Sequence, residues 1–292
     1  MSISAEMVKE LRERTSSGMM ECKRALVEAN GDMELAIENM RKAGLAKADK
    51  KSGRIAAEGV MSVKLSDDGK TVALVDVNCE TDFVAKGEDF TGFAAAIADA
   101  LVKHDVADLA QLQELPLASG VSVEETRREL ISKLGENITV RRFVKFTTTE
   151  GGQAFYLHGS KIGVIVELAK ADPALGKDIA MHIAASKPDF VHADEVPAEL
   201  VAKEKEIFSA QALESGKPLE IVEKMVGGRI TKFLAEVTLL GQPFIKDDSL
   251  TIAKLLKNHD NTVIRFARLE VGEGIEKKEE NFAEEVMAQV RG

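Results

Sequence analysis

The residues best suited to specific recognition follow an apolar run, Val72–Val77. That run ends in small and polar residues, and Asp82 then stands beside an aromatic residue, Phe83. An apolar run of this length between polar clusters predicts a buried strand, and loops at the ends of strands commonly carry function. Two interpretations of Phe83 stay open at this point: it folds back as a core residue, or it faces a partner.

Motifs for covalent chemistry are absent from the sequence. It contains no GxxxxGK phosphate loop, no HExxH and no GxSxG. Cys22 and Cys79 form no CxxC pair, so neither a zinc site nor a disulfide framework is indicated. The five histidines are scattered without metal-ligand spacing: His104, His158, His182, His192 and His259. The sequence therefore predicts neither an enzyme nor a bound cofactor or metal, and only catalytic residues assembled by folding stay open.

An internal repeat supplies the elements that would position the loop around Phe83. Each copy consists of a predicted β-hairpin, an alanine-rich helix and a closing strand. Lys70 matches Lys161 and Asp76 matches Glu167, a shift of 91 positions. The first copy comprises 63–77, 90–101 and 139–143, and the second comprises 155–168, 178–185 and 262–266. Two such units predict an α+β core.

The second copy is also an internal control for Phe83. Its loop after the second hairpin strand, Ala169–Leu175, contains no aromatic residue. If Phe83 only completed the core of the repeated unit, the second copy should have kept a counterpart. Its absence favours the interpretation that Phe83 faces a partner.

Residues 4–43 are predicted to form three short amphipathic helices, with Ser4 and Asp32 as caps and Asn30-Gly31 as a left-handed stop. Because so small a bundle has little apolar core, we expect it to lean on, that is to pack against, another surface. The apolar positions at helical spacing are Met7, Val8 and Leu11, then Met19, Cys22, Leu26 and Ala29, then Met33, Ala36, Ile37 and Met40. Met19 and Met20 point about 100° apart, so both cannot face the bundle centre. One of them is a candidate partner contact, and a loosely covered core methionine is the alternative.

Residues 46–58 are basic and rich in small residues, which predicts a tether between modules. No aromatic residue is interleaved there for base stacking, so direct nucleic-acid binding is not predicted.

Two further helical patterns, at 197–215 and 219–240, predict a hairpin inserted in the second copy. It either projects as an arm or folds flat on the core. Residues 275–292 predict a charged C-terminal helix that must dock on its own protein or on another.

Composition bounds the class of protein. The 292 residues exceed one ordinary domain, and the apolar fraction of 45% is typical of a chain with a real core. A net charge of −10 argues against broad nucleic-acid binding. No apolar run approaches the roughly 20 residues of a membrane span. With no secretion signal, we expect a cytoplasmic protein, and homodimerisation stays open.

These features predict five segments: a three-helix module at 1–45, a linker at 46–58, core subdomains at 59–150 and 151–270, and a helical end at 271–292. The inserted hairpin occupies residues 197–238 of the second subdomain.

Several segments together resemble bacterial elongation factor Ts. The resemblance covers essentially the whole chain, and two of its motifs are long. The matching segments are Leu11–Thr15, Gly18–Leu26, Val77–Lys86, His158-Gly159, Ile162–Val164, Met181–Pro188, Ser215–Pro218 and Val271–Lys277. Ser16 and Asp76 depart from the family pattern, where glycine and glutamate are usual.

The resemblance implies a guanine-nucleotide exchange factor for elongation factor Tu, the GTPase that delivers aminoacyl-tRNA. It also implies that the N-terminal module is similar to a ubiquitin-associated (UBA) bundle. Thr81, Asp82, Phe83 and Val84 would then dislodge the Mg²⁺ of the partner's GDP form, with Phe83 as a wedge. Asp82 would hold the loop or rearrange partner backbone. Further partner contacts would come from Arg12, Met19, Met20, His158 and Gly159. A purely structural or chaperone-like interaction protein is the alternative from another class.

Overall fold

The computed structural model of the chain describes residues 3–15, 17–214 and 218–276, without the side chains of 45–49. Its helices are α1 (Ala5–Thr15), α2 (Met19–Glu28), α3 (Met33–Lys51), α4 (Asp82–Lys86), α5 (Glu88–Lys103), α6 (Leu109–Glu114), α7 (Val123–Leu134), α8 (Pro173–Ser186), α9 (Ala198–Leu213), α10 (Leu219–Val237) and α11 (Ile252–Asn258). Its strands are β1 (Glu58–Leu65), β2 (Thr71–Cys79), β3 (Thr139–Thr147), β4 (Gly152–His158), β5 (Ile162–Leu168), β6 (Pro243–Phe244), β7 (Asp247–Thr251) and β8 (Val263–Glu270). The predicted α+β class is confirmed.

Helices α1–α3 form the N-terminal module around a small apolar core that includes Leu11, Leu26 and Ala36. Ser4 Oγ accepts a hydrogen bond from Met7 N at 3.2 Å, and Asp32 Oδ1 accepts one from Leu35 N at 3.0 Å. These side-chain oxygens satisfy free amides at the starts of α1 and α3, as the sequence predicted. Asn30 and Gly31 have φ values of 52° and 86°, which is the predicted left-handed stop after α2.

Two predictions for this module need correction. The helical spacing groups Met19 with Cys22 and Leu26, yet 60% of the surface of Met19 is exposed, while Cys22 and Leu26 are fully buried. Met19 is the first residue of α2, so its side chain lies beyond the end of the three-helix core. Helix α3 also continues to Lys51, six residues into the predicted linker, because its alanine and lysine residues favour helix.

The extended α3 attaches the module to the core by packing along α7. Arg41 of α3 pairs with Glu125 of α7, and Lys51 Nζ donates to Gly135 O at 2.6 Å. A Cβ at Gly44 would lie only 2.9 Å from Ser132 Oγ, so the two helices approach closely there. The expectation that this small module leans on another surface is therefore confirmed.

The core contains two antiparallel three-stranded sheets, ordered β1-β2-β3 and β4-β5-β8. Each central strand, β2 or β5, is almost entirely buried because it is paired on both sides and covered on both faces. Helix α5 covers the outer face of the first sheet and α8 that of the second. An apolar layer that includes Leu74 and Ile165 lies between the sheets.

The predicted duplication is confirmed by equivalent contacts in the two sheets. Arg142 of β3 donates to Asp76 of β2 at 3.0 Å, and Arg265 of β8 donates to Glu167 of β5 at 2.7 Å. A register shift follows the carboxylate in both sheets. Each arginine also reaches across to the other sheet, where Arg142 donates to Glu270 O and Arg265 donates to Thr147 O. These reciprocal contacts relate the two halves by an approximate two-fold rotation.

Helices α9 and α10 form the predicted hairpin, and it projects from the core. They pack on each other through Ala212, Val222 and Val226, with Phe208 and Ile230 at the margins. Within the described residues, α9 makes extensive contact only with α10, and α10 otherwise contacts the 3₁₀ turn Leu239–Gly241. The alternative in which the hairpin folds flat on the core is therefore excluded. Residues 216 and 217, between the two predicted helices of the hairpin, and the part of the predicted C-terminal helix from 277 onward lie outside the described residues.

Candidate functional site

The segment around Phe83 is a tight connection between β2 and a one-turn helix. Strand β2 ends at Cys79, and α4 begins at Asp82. Thr81 is the cap of α4, since its Oγ1 accepts a hydrogen bond from Val84 N at 3.4 Å. The buried thiol of Cys79 donates to Thr81 O at 3.2 Å. Residues Thr81–Val84 are the loop around Phe83 that the sequence singled out.

Glu136, which follows α7, holds the start of this loop. Its Oε2 accepts hydrogen bonds from the backbone N–H groups of Glu80 and Thr81 at 3.1 and 2.9 Å. Its Oε1 accepts a third from Thr81 Oγ1 at 2.6 Å. The next residue, Asn137, donates its backbone N–H to Glu80 Oε1 at 2.6 Å. Bonds to an ionised carboxylate are among the stronger hydrogen bonds in proteins, so the loop is firmly anchored.

Helix α4 divides its side chains between core and solvent. Ala85 is buried and Val84 packs against the core of the first sheet. Phe83 is 85% exposed, more than any other large apolar side chain among the described residues. The interpretation of Phe83 as a core residue is therefore wrong. A bulky ring held in water by a fixed backbone is the kind of feature that marks a contact site.

Asp82 lies on the outer side of α4 and pairs with Lys86 one turn later, at 2.6 Å. The hydrogen bond from Lys86 holds the pKa of Asp82 below its ordinary value, so this carboxylate is charged at neutral pH. The structure therefore assigns the anchoring of the loop to Glu136 and leaves Asp82 facing solvent. Of the two roles considered for Asp82, rearrangement of partner backbone is the one that this placement supports.

Cys79 does not act as a nucleophile in this environment. Burial raises the pKa of its thiol to about 12, and the nearby Glu136 carboxylate acts in the same direction. The thiol is therefore protonated at neutral pH, and only the thiolate is a strong nucleophile or metal ligand. Within the described part of the chain, no group of three or more His, Cys, Asp or Glu side chains is arranged to hold a metal ion.

The turn that carries His158 and Gly159 lies at the same end of the two sheets as the loop around Phe83. Gly159 has a φ of 58°, which a glycine adopts without strain. Lys161, at the end of this turn, pairs with Glu58 of β1 at 2.5 Å, and Glu58 is the register partner of Cys79. The structure thus places the His158–Gly159 turn beside the strand end from which the loop around Phe83 emerges.

The remaining candidate residues lie on the N-terminal module. Arg12 of α1 is exposed, and Met19 and Met20 of α2 are 60% and 76% exposed. Neither methionine faces the bundle centre, so both are exposed, whereas helical geometry alone required this of only one of them. Helices α1 and α2 pack on α3, and α3 is the helix that packs on the core, so this surface is a separate part of the molecule.

Sequence reasoning missed Glu136 and Asn137. Gly135-Glu136-Asn137 has the composition of an ordinary loop, and Glu136 is 55 positions from Thr81 in the chain. Its location just before the closing strand of the first copy was the only available signal.

None of the helices within the described ranges is both long and apolar enough to cross a membrane.

Comparisons with known proteins agree with one another. The sequence model of the family described as elongation factor TS matches residues 80–273. The chain is 62% identical to elongation factor Ts of Methylococcus capsulatus over 291 residues, which is 100% of this chain and 99% of that protein. It is 61% identical to elongation factor Ts of Thioalkalivibrio sulfidiphilus over 293 residues, with 100% of both chains covered. It is 55% identical to that of Legionella pneumophila strain Paris over 290 residues, with 99% of both covered.

Proposed function

The chain belongs to the elongation factor Ts family, and on that premise we propose that it is a nucleotide exchange factor for the translational GTPase elongation factor Tu. It binds the GDP form of this partner, displaces Mg²⁺ from the nucleotide site and promotes GDP release during polypeptide elongation. It also binds the nucleotide-free partner. Exchange breaks no covalent bond, so the factor acts by binding rather than as a catalyst of a chemical reaction.

The observation that carries this proposal is the presentation of Phe83. Its ring is 85% exposed on a helix whose start is tied to Glu136 by hydrogen bonds of 2.6–3.1 Å. Burying such a ring in a partner contributes about 1.5–3 kcal/mol, which offsets the cost of displacing partner side chains. An anchored backbone loses little conformational freedom on binding, so more of this free energy acts on the partner.

Displacement of Mg²⁺ is an efficient way to weaken GDP binding. The ion neutralises phosphate charge that the nucleotide pocket must otherwise bear. Coupling between two ligands is reciprocal, so a factor that weakens GDP binding is itself bound less tightly when GDP is present. In this proposal Phe83 inserts beside the Mg²⁺ site, Val84 supports it from the core, Thr81 caps α4, and Asp82 rearranges partner backbone.

The other exposed candidates serve to bind the partner. Met19 and Met20 present flexible apolar side chains, and Arg12 adds a positive charge on the same module. His158 and Gly159 contact a second region of the partner from the turn beside Thr81–Val84, which we call the exchange loop.

Phe83→Ala tests the wedge role. We expect it to keep the fold, because the ring has few neighbours in the free protein, and to slow stimulated GDP release by about 10- to 100-fold. Stopped-flow release of a fluorescent GDP from elongation factor Tu measures this directly. Ile264→Ala, at an exposed residue of β8, is the matched control and should leave the rate unchanged. An unchanged rate for Phe83→Ala would refute the wedge role.

The same assay at decreasing free Mg²⁺ tests the displacement step. Acceleration by the wild-type factor should shrink as Mg²⁺ is removed by a chelator, because the factor then has no ion to displace. Acceleration that is independent of Mg²⁺ would contradict this step.

A further inference from the structure

We propose that Glu136 is a positioning residue for nucleotide exchange, which fixes the exchange loop so that Phe83 is presented in its binding orientation. This inference rests on the proposed function and adds a residue to it. The Glu136 carboxylate accepts hydrogen bonds from Glu80 N, Thr81 N and Thr81 Oγ1 at 3.1, 2.9 and 2.6 Å. All three donors lie immediately before α4, and the second half of the helix leads directly into α5.

The length of α4 shows why such an anchor is needed. With five residues it is far shorter than a helix that is stable alone in water. Only Val84 and Ala85 attach it to the core, because Asp82 and Phe83 face solvent. The Glu136 carboxylate supplies the missing constraint at the N-terminal end. Without it, the loop would sample other conformations, and binding would have to order it again.

The segment that carries Glu136 is held in place through the residues on both sides of it. Gly135 O accepts a hydrogen bond from Lys51 Nζ at the end of α3. Asn137 is buried, and its Nδ2 donates to Arg54 O at 2.8 Å. Glu136 therefore projects from a segment that is fixed to α3 and to the chain that follows it.

The second copy of the repeat shows which of these hydrogen-bonded connections belong to the fold in general and which are specific to the exchange loop. There, the segment before the closing strand is also tied to the segment after the central strand: Asn261 Oδ1 accepts from Lys170 N at 3.1 Å, and Asn261 Nδ2 donates to Lys170 O at 2.9 Å. Lys170 is the counterpart of Cys79 under the shift of 91 positions. A tie between these segments is thus common to both copies. The chemistry of the tie differs between the copies. In the first copy the Glu136 carboxylate accepts from the loop, whereas in the second copy its counterpart His259 lies 3.2 Å from a carboxylate of the loop, Asp172. Only the first copy continues into a short helix with an exposed aromatic ring.

A double-mutant cycle tests this proposal. Glu136→Ala should slow stimulated GDP release by about tenfold, the loss expected when hydrogen bonds to a charged group are removed. In a Phe83→Ala background the same substitution should have no further effect, because a positioning residue acts only through the ring that it positions. Glu136→Gln retains one acceptor oxygen and should fall between wild type and Glu136→Ala. Equal slowing by Glu136→Ala in both backgrounds would overturn the proposal.

Two controls separate positioning from stability. Asn261→Ala removes the hydrogen bonds that tie the corresponding segments of the second copy, and it should lower the melting temperature without slowing GDP release at a temperature where the variant is folded. Glu129→Ala, an exposed glutamate of α7, should change neither quantity. If Asn261→Ala slowed release as much as Glu136→Ala, the effect of Glu136 would be one of general stability.

Amide hydrogen exchange of the free protein gives a readout that needs no partner. Glu136→Ala should raise exchange at Glu80, Thr81 and Val84 and leave β2 protected, whereas unchanged exchange would overturn the proposal. If the wild-type chain did not accelerate GDP release at all, the proposed function would fail. The amide measurement would still decide whether Glu136 anchors the loop.

Discussion

The ionisable side chains of this protein lie in very different environments. Asp82 and His182 illustrate the range, since one is exposed and charged and the other is buried and neutral. Asp82 is exposed and keeps its charge through Lys86. His182 is fully buried on α8, where its Nε2 lies 2.9 Å from Gln242 Oε1 and its Nδ1 accepts from Ile245 N. These two contacts fit the neutral ring protonated on Nε2, so His182 is a structural histidine whose two ring nitrogens both have partners.

His182 should make stability depend on pH. Burial lowers its pKa in the folded protein, whereas in the unfolded chain the value is about 6.5. The unfolded state therefore binds the proton first as pH falls. The contribution of His182 to stability is present above about pH 6.5 and is lost as pH falls towards the lower folded pKa. Urea unfolding between about pH 7.5 and 5 should show a shallower decline in stability for His182→Gln than for wild type.

His104→Gln is the control for this measurement, since His104 is exposed at the end of α5. It should leave the slope of stability against pH as in wild type. An equal slope in wild type and His182→Gln would show that His182 does not carry the pH dependence.

At the scale of elements, the two sheets meet through a close fit that one glycine makes possible. A Cβ on Gly163 of β5 would lie 2.4 Å from Leu74 Cδ1 of β2, and Leu74 is fully buried. Real Cβ atoms do not approach so closely, so a side chain here would push the sheets apart or force Leu74 into a strained rotamer. The face-to-face packing of the two copies thus depends on the absence of a side chain at this position.

Gly163→Ala should destabilise the protein by about 1–3 kcal/mol, the usual cost of adding a methyl group to a packed interior. The same substitution at Gly228, inside α10, should have the opposite sign, because a Cβ there meets nothing within 4 Å. Alanine is preferred to glycine in a helix interior by about 0.5–1 kcal/mol. Urea unfolding followed by circular dichroism measures both. Destabilisation by Gly228→Ala, or none by Gly163→Ala, would contradict this description of the packing.

At the scale of the whole molecule, the candidate binding residues fall into two regions with different mechanical support. The exchange loop and the His158–Gly159 turn lie at one end of the rigid two-sheet core. Arg12, Met19 and Met20 lie on a small module that joins this core through α3 and α7. In the proposed function this arrangement separates attachment to the partner from action on the nucleotide site.

Simultaneous substitution of Met19 and Met20 by alanine tests this separation. It should raise the concentration of factor needed for half-maximal acceleration of GDP release by about tenfold or more, since two exposed apolar contacts are lost. The maximal rate at saturating factor should stay near that of wild type, whereas Phe83→Ala should lower it. Titration of the factor in the exchange assay separates the two quantities. Leu35→Ala, at an exposed residue of α3, is the control. A lower maximal rate with unchanged half-saturation would contradict the division of roles.

Much of the local structure could be predicted from sequence because its causes are local. The caps at Ser4 and Asp32, the stop at Asn30-Gly31 and both core hairpins depend on neighbouring residues and on apolar periodicity. The repeat could be predicted for the same reason, since Asp76 and Glu167 occupy matching places in matching patterns. The exchange loop was also found from its own residues, by the contrast with the aromatic-free loop of the second copy.

What the sequence alone determined is therefore the N-terminal helices, the duplicated hairpin–helix–strand units, the inserted helical hairpin and the loop that carries Phe83. The short elements between them, among them α6, α7 and α11, were not predicted. Only the tertiary structure decided that Phe83 and both methionines face solvent, that the hairpin projects, that α3 continues into the linker and docks on α7, and that Glu136 anchors Thr81. Exposure depends on which surfaces meet, and Glu136 and Thr81 are 55 positions apart in the chain. Periodicity and turn chemistry act over a few residues, so contacts at that separation leave no signal in the local pattern.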